Sequence, residues 1–227
     1  LPSSFRNMRF REYLSSYKHL FESPLRYIHA YRNAIPLMMH IVRNKFPFQA
    51  ILKNGKKIIV HNYYEAYLAS FGIMEGYSIN GNIITISNDG LPETKLDLEN
   101  NNGDPYAVFF AKVYDFLPVR DKVIIDIGAN IGDSSIYFVH KGAKRVIALE
   151  PFPKNYNTAK KNIELNNLTN KISLLPIGCS GTKGEITINP KQEGAGSALD
   201  SASSGIKVPL TTLDEVIHEH NVPDDSV

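Results

Sequence analysis

The fold is decided by residues 123–135, which read Val123-Ile-Ile-Asp-Ile-Gly-Ala-Asn-Ile-Gly-Asp-Ser-Ser135. They open with a short run of apolar, β-branched residues, as buried parallel strands do, and pass through two glycines into a segment with helical periodicity. The pattern predicts a strand, a tight loop and the start of a helix. Such a loop directs backbone N–H groups at whatever lies above the strand, and its glycines let a ligand approach the backbone closely. The stretch therefore indicates a cofactor-binding loop.

The glycine spacing and a nearby acid narrow the choice of cofactor. The dinucleotide fingerprint is G-x-G-x-x-G, whereas this loop has Gly128, Asn130 and Gly132. Asp126 lies two residues before the first glycine. A carboxylate there suits a ligand with a cationic amine, such as the methionyl end of S-adenosylmethionine, and would repel a pyrophosphate. A methyl donor is therefore favoured, and a nucleotide-dependent oxidoreductase is the alternative.

A second acid ends the next apolar strand, which the sequence predicts over Arg145 to Leu149. This acid, Glu150, follows Asp126 by 24 positions, where it can accept hydrogen bonds from ribose hydroxyls. Phe152 can offer an apolar face to adenine, and core packing is the equal alternative.

Three motifs in this order resemble the FkbM family of S-adenosylmethionine-dependent methyltransferases. They are Asp126-Ile-Gly-Ala-Asn-Ile-Gly-Asp133, Lys141-Gly-Ala-Lys-Arg-Val-Ile-Ala-Leu-Glu-Pro151 and Lys161-Asn-Ile-Glu-Leu-Asn166. The resemblance covers about residues 104 to 217. It implies an α/β fold, a Rossmann-like class I methyltransferase sheet with helices on both faces. It also implies an enzyme that methylates a hydroxyl of a sugar or another small metabolite, an acceptor class that composition and spacing do not show.

The predicted cofactor-binding residues form three groups, each after a predicted strand. The groups are Asp126, Gly128, Ala129, Asn130 and Gly132; then Glu150, Pro151 and Phe152; then Gly178 and Cys179. The third group follows a strand over Ile172 to Ile177, where open α/β sheets bind ligands. Asp126 would bind the methionyl amine and Glu150 the ribose. We assign no catalytic base and no metal ligands, and we assign Asp133 and Ser134 to helix capping in preference to cofactor contact.

Residues 1–103 predict a small α+β region, and residues 104–227 the cofactor domain. In the first, helices are expected over 5–21 and about 25–45, where Pro36 should end or kink the second helix unless it lies in a first turn. Hairpins are expected around Asn54-Gly55 and Asn80-Gly81.

In the cofactor domain, a helix over Pro105 to Leu117 should border the pocket. The glycine-rich segment 194–205 is interpreted as a lid or a plain surface loop. Thr212 and Glu215 predict a capping box. Family members continue past this helix into a further strand, so the resemblance implies a domain truncated at its C-terminus that exposes the sheet edge beside Val123. A catalytically silent cofactor-binding or assembly module is therefore a further alternative.

Composition limits the partners. The net charge of +2 argues against a nucleic-acid binder, and the sequence shows no apolar run long enough to span a membrane. The single cysteine, Cys179, allows no internal disulfide, and a cytoplasmic location is expected. Residues 1–50 carry eight Lys or Arg against two acids. A solvated helix face is favoured for this excess, and an anionic partner or a homodimer through the N-terminal region is the alternative.

Overall fold

The computed structural model describes residues 24–87, 90–99, 104–188 and 205–227. The chain divides into two compact units, Leu1–Glu75 and Gly76–Val227. The domain boundary that the sequence predicts at residues 103 and 104 stays a prediction, because compact units need not coincide with family domains. The helix expected over 5–21 and nearly all of the glycine-rich segment 194–205 lie outside the described residues.

The described part of the first unit contains helices and one hairpin. The elements are α1 (residues 24–30), α2 (Ala34–Val42), β1 (Phe48–Ile51), β2 (Lys57–Val60) and α3 (Tyr63–Ser70). The helix expected over 25–45 is two helices, and the break at residues 31–33 places Pro36 in the first turn of α2. The antiparallel pairing of β1 with β2 confirms the hairpin around Asn54-Gly55. Buried Tyr31 lies in the core, where its hydroxyl donates to Ala66 O at 2.7 Å.

The second unit combines an antiparallel sheet, a parallel sheet and a small mixed sheet with the strand order β10-β11-β9. Its elements are β3 (Tyr77–Asn80), β4 (Ile83–Ile86), β5 (Thr94–Asp97), a π-helical turn (Tyr106–Phe110), β6 (Val123–Ile127), α4 (Asp133–His140), β7 (Arg145–Leu149), α5 (Pro153–Leu165), β8 (Ile172–Leu175), β9 (Gly178–Cys179), β10 (Gly184–Ile188), β11 (Ile206–Thr211) and α6 (Leu213–Glu219). The strands β3, β4 and β5 pair in sequence order and are antiparallel, which confirms the hairpin at Asn80-Gly81. Thr212 and Glu215 form the predicted capping box of α6.

The parallel sheet has the strand order β6-β7-β8, with α4 and α5 as the two crossover helices. Helix α4 packs against all three strands. Val216 of α6 packs instead with Val123, Ile147 and Leu149, whose side chains alternate with those of their strand neighbours. The predicted Rossmann-like sheet with helices on both faces is therefore confirmed.

The edge of β6 that faces away from β7 carries backbone pairing in its first half. Val227 N–H donates to Val123 O at 3.0 Å, and Ile125 N–H donates to Val227 O at 2.9 Å. This is the bond pattern of a parallel ladder. The expectation of an exposed edge is therefore wrong beside Val123, although the Ile127 side chain at the other end of the strand is 53% exposed.

The helix expected over 105–117 is wrong in its second half, because regular helix ends at Phe110. Lys112 has a φ of 53°, and Val113 N–H donates to Ala107 O at 3.1 Å. A residue in the left-handed conformation is a common way to close a helix end. The residues that follow form turns that lead towards β6.

Candidate functional site

The loop after β6 is held by its own backbone amides. Gly128 N–H and Ala129 N–H both donate to Leu149 O, at 2.9 and 3.0 Å, and Gly132 N–H donates to Ala129 O at 2.7 Å. Asn130 adopts a left-handed φ of 47°, and its N–H donates to Glu150 Oε2 at 2.8 Å. Four amides of the loop are therefore committed to acceptors within the protein.

Glu150 joins this loop to the one after β7. The residue is 3% exposed, and its Oε1 accepts from Phe152 N–H at 2.9 Å while Oε2 accepts from Asn130 N–H. Burial raises the pKa of Glu150 to about 7, and the backbone donors oppose that rise. Glu150 therefore fixes the relative position of the two loops.

Gly132 and Asn162 hold the far end of the loop. Gly132 has a φ of 81°, and a Cβ there would lie 3.3 Å from the Cα and Cβ of Ala159 in α5. Asn162, which is fully buried, donates from Nδ2 to Ile131 O at 2.9 Å and accepts at Oδ1 from Asp97 N–H at 2.6 Å. The loop is thus packed against α5 and connected to β5.

A cavity of about 380 Å³ lies at the carboxyl ends of β6, β7 and β8. Eight of the ten predicted cofactor-binding residues line it: Gly128, Ala129, Asn130, Glu150, Pro151, Phe152, Gly178 and Cys179. This size falls in the usual range for small-molecule sites. The structure therefore brings the three predicted groups together at one cavity.

The other two predicted residues, Asp126 and Gly132, lie outside the cavity wall. Asp126 Oδ2 accepts from the hydroxyls of Ser134 and Ser135 at 2.7 and 2.6 Å, and burial raises its pKa. Gly132 serves the close packing of α4 on α5. The contact of these two residues with a cofactor stays a prediction.

Four polar residues of the cavity wall, besides Tyr114, are absent from the predicted cofactor-binding set: Asp104, Asp133, Ser134 and Asn155. Asp133 is 2% exposed, and its Oδ2 accepts no hydrogen bond from the described residues. Asn155 Oδ1 and Asn130 Oδ1 are also buried without a donor among those residues. Burial and the neighbouring acids Asp104 and Asp126 raise the pKa of Asp133 to about 8. No local signal separates a capping acid from a cavity-facing one, because both stand in the first turn of a helix.

The rest of the wall is largely apolar. Its apolar side chains belong to Ala107, Val108, Val113, Ile127, Leu149, Phe152 and Ile177. Tyr114 also lines the cavity, and its ring packs edge-on against Phe138 with the centroids 5.3 Å apart. Burial and the surrounding acids raise the pKa of its hydroxyl. The apolar side chains of the lining thus suit a flat apolar ring, while its acids and amide oxygens offer hydrogen-bond acceptors to a cationic or donor-rich ligand.

Two absences apply to the described part of the chain. It contains no cluster of three or more His, Cys, Asp or Glu side chains that could hold a metal ion. None of its helices is long and apolar enough to cross a membrane.

Comparison with known proteins agrees with this geometry. Residues 126–225 match the model of the methyltransferase FkbM domain. A curated relative, Methyltransferase 1 of Beauveria bassiana, is 34% identical over 80 residues, which are 34% of this chain and 31% of the relative. The chain thus spans about a third of the length of that relative.

Two solved structures show partial likeness. The FkbM methyltransferase of Methylobacillus flagellatus is 21% identical with a TM-score of 0.35, over 50% of this chain and 27% of that one. TYW2 of P. horikoshii in complex with MeSAdo is 22% identical with a TM-score of 0.31, over 50% and 46%. The match to the methyltransferase FkbM domain over residues 126–225 lies within the second unit and covers less than half of the chain.

Proposed function

We propose that this chain binds S-adenosylmethionine in the cavity and transfers its methyl group to a hydroxyl of a sugar or another small metabolite. The observation that carries the proposal is the polarity of the cavity. The polar groups that support the proposal are all hydrogen-bond acceptors. They are the carboxylates of Asp104, Asp133 and Glu150 and the amide oxygens of Asn130 and Asn155, which have no donor among the described residues. S-adenosylmethionine matches this lining, because it carries an ammonium group, ribose hydroxyls and a positively charged sulfur.

The same polarity disfavours a dinucleotide. A pyrophosphate needs free backbone N–H groups at the glycine loop, but Gly128, Ala129, Asn130 and Gly132 already donate within the protein. None of the described residues that line the cavity has a basic side chain to neutralise the pyrophosphate. A nucleotide-dependent oxidoreductase is therefore the weaker candidate.

A small acceptor is favoured over a nucleic acid for a related reason. Nucleic-acid binding depends on basic side chains that neutralise phosphates. The cavity is lined instead by the acids Asp104, Asp133 and Glu150. The choice of a sugar or metabolite hydroxyl within the small-molecule class rests on the family resemblance.

In this proposal the residues of the chain bind and orient the reactants. Glu150 accepts from the ribose hydroxyls, and Phe152 and Cys179 lie beside the adenine. The bound cofactor supplies an electrophilic methyl group on sulfur. Transfer of this group to an acceptor hydroxyl would be an in-line displacement at carbon, with the carbon–sulfur bond breaking and the acceptor proton leaving to solvent or a base, so the cavity would have to hold the acceptor oxygen in line with that bond. Positioning by the cavity therefore provides much of the rate enhancement.

The test is calorimetric titration of the chain with S-adenosylhomocysteine, with NADH as the control ligand. We expect micromolar binding of the first and no measurable binding of the second. Transfer of labelled methyl groups from S-adenosylmethionine to a panel of sugars and small alcohols would then test turnover. Absence of S-adenosylhomocysteine binding by the folded chain would refute the cofactor assignment. Binding without transfer to any acceptor would favour the silent cofactor-binding module.

A further inference from the structure

We propose that Asp133 and Asp104, rather than Asp126, form the subsite that takes the ammonium group at the methionyl end of the cofactor. The proposal rests on the proposed function and deepens it. It assigns a ligand-binding role to two acids that the sequence pattern had left to helix capping or had not selected.

The first observation is the unpartnered oxygen of Asp133. The residue lines the cavity and is 2% exposed, and no described residue donates to its Oδ2. A buried acceptor without a donor costs free energy relative to its hydrated state. A ligand that donates a charged N–H there recovers this cost and gains a charge-assisted hydrogen bond. Asp133 is therefore prepared to receive a cation.

The second observation is the contrast with Asp126. Its Oδ2 already accepts from the hydroxyls of Ser134 and Ser135, and the residue lies outside the cavity wall. The hydroxyls of two consecutive serines of α4 thus donate hydrogen bonds to the acid of β6. The carboxylate of Asp133, in the same first turn of the helix, is left facing the cavity.

The third observation is a set of acceptors around Asp133 that matches an ammonium group. Asp104 lines the same cavity and accepts at Oδ2 from Asn130 Nδ2 at 2.5 Å, while Asn130 Oδ1 remains buried without a donor among the described residues. An ammonium group has three N–H donors. The carboxylates of Asp133 and Asp104 together with Asn130 Oδ1 supply three acceptors.

The acidic groups around Asp133 also favour the binding of a cation. It interacts with Asp104 before the π-helical turn, with Asp126 of β6 and with the hydroxyl of Tyr114, and Glu150 lines the same cavity. Burial, then Asp104 and Asp126, raise its pKa to about 8, so the carboxyl is mostly protonated at pH 7. A bound ammonium group favours the ionised form. Binding should therefore release a proton from Asp133.

The test compares two ligands that differ at the methionyl end. S-adenosylhomocysteine carries the amino-acid group, and 5′-methylthioadenosine has the same adenosine and thioether without it. We expect Asp133→Asn to weaken S-adenosylhomocysteine binding about 20-fold or more, as for loss of a charge-assisted contact. Its affinity for 5′-methylthioadenosine should change less than about twofold, since that ligand makes no contact at the subsite. Asp121→Asn, which removes an exposed acid of the same unit, should change neither affinity.

Measuring proton release distinguishes contact between Asp133 and the ligand from a purely structural role of Asp133. Titrations at pH 7 in buffers of different ionisation enthalpy should show that wild-type protein releases more protons with S-adenosylhomocysteine than with 5′-methylthioadenosine, because Glu150, with a pKa of about 7, contributes equally with both ligands. In the Asp133→Asn variant the two ligands should release the same number of protons. Wild-type affinity for S-adenosylhomocysteine relative to that for 5′-methylthioadenosine should also fall between pH 7 and pH 6, because protonated Asp133 must lose its proton on binding, while this ratio stays constant in the variant.

The outcomes separate the two proposals. If wild-type protein binds neither ligand, the proposed function fails. If both ligands bind but Asp133→Asn weakens them equally, or if the variant still releases more protons with S-adenosylhomocysteine than with 5′-methylthioadenosine, the subsite is refuted while the cofactor site stands. Should Asp133→Asn fail to fold, Asp104→Asn provides the same test. It should weaken S-adenosylhomocysteine about fivefold and leave 5′-methylthioadenosine unchanged, a smaller loss because Asp104 already has a donor in Asn130.

Discussion

Two buried acids line the cavity, and their carboxylates are hydrogen-bonded differently. The Glu150 end denotes Glu150 with its backbone donors, and the Asp133 end denotes Asp133 with Asp104. At the Glu150 end, each carboxylate oxygen of Glu150 accepts a backbone N–H, from Asn130 and from Phe152. At the Asp133 end, Oδ2 of Asp133 has no donor among the described residues. Burial raises the pKa of both acids. An acid with both oxygens held by the backbones of two loops is part of the framework, whereas an acid with one oxygen left without a donor is available to a ligand.

This difference predicts two patterns of loss. A change at the Glu150 end should move the loops and weaken every ligand of the cavity. A change at the Asp133 end should affect only ligands that carry a cation, and it should not harm the fold. Three experiments on the chain test this difference.

The largest effect is expected from Glu150→Ala. The substitution leaves the N–H groups of Asn130 and Phe152 buried without their acceptor, and each such group costs about 1 to 3 kcal/mol. Calorimetry should show that S-adenosylhomocysteine and 5′-methylthioadenosine both lose at least about 100-fold in affinity. Glu164→Ala, at an exposed position of α5, is the matched control and should leave both affinities unchanged. A loss confined to S-adenosylhomocysteine would mean that Glu150 does not belong to the framework.

A smaller effect is expected where the framework packs against α5. Gly132 and Gly128 have the same φ of 81°, so an alanine at either position is strained. A Cβ at Gly132 would lie 3.3 Å from two atoms of Ala159, whereas a Cβ at Gly128 would meet nothing within 4 Å. Urea unfolding should show that Gly128→Ala lowers the free energy of unfolding by about 1 kcal/mol and Gly132→Ala by about 2 to 4 kcal/mol.

Equal losses for the two glycine variants would contradict this assignment. They would show that α4 and α5 can move apart at no cost, and that the positive φ alone requires glycine at both positions. The loop would then be less rigidly seated than the contacts of Gly132 and Asn162 indicate.

The sequence could predict the Glu150 end because its determinants are local. An acid that ends an apolar strand before a proline, and a glycine loop after the preceding strand, identified Glu150, Phe152 and Asn130. Topology then placed Gly178 and Cys179 at the same sheet edge. All five residues line the cavity.

The Asp133 end depends on contacts between distant parts of the chain. In the sequence, the position of Asp133 is fully explained by the preference of acids for the first turn of a helix. Its proposed role can be inferred only from the folded structure, in which Asp104 and the cavity lie beside it. Asn162 shows the same limit, because its amide joins Ile131 to Asp97, 31 and 65 residues away. The prediction of a helix over 105–117 was wrong in its second half for a different reason. The apolar periodicity continues past Lys112, where the backbone turns left-handed.

The smallest effect, and the one of opposite sign, is expected from Asp133→Asn on stability. In the folded chain the pKa of Asp133 is about 8 against an ordinary 3.8, so its contribution to stability is present below about pH 4 and is lost as the pH rises towards 8. Asparagine has nearly the same shape and no charge to bury. Thermal unfolding followed by circular dichroism should show a variant that gains about 2 to 6 °C in Tm at pH 7.5 and almost nothing at pH 4.5, with Asp121→Asn as the exposed control. A lower Tm for the variant at pH 7.5 would mean that Asp133 holds the fold as Glu150 does, and the two ends of the cavity would no longer differ in kind.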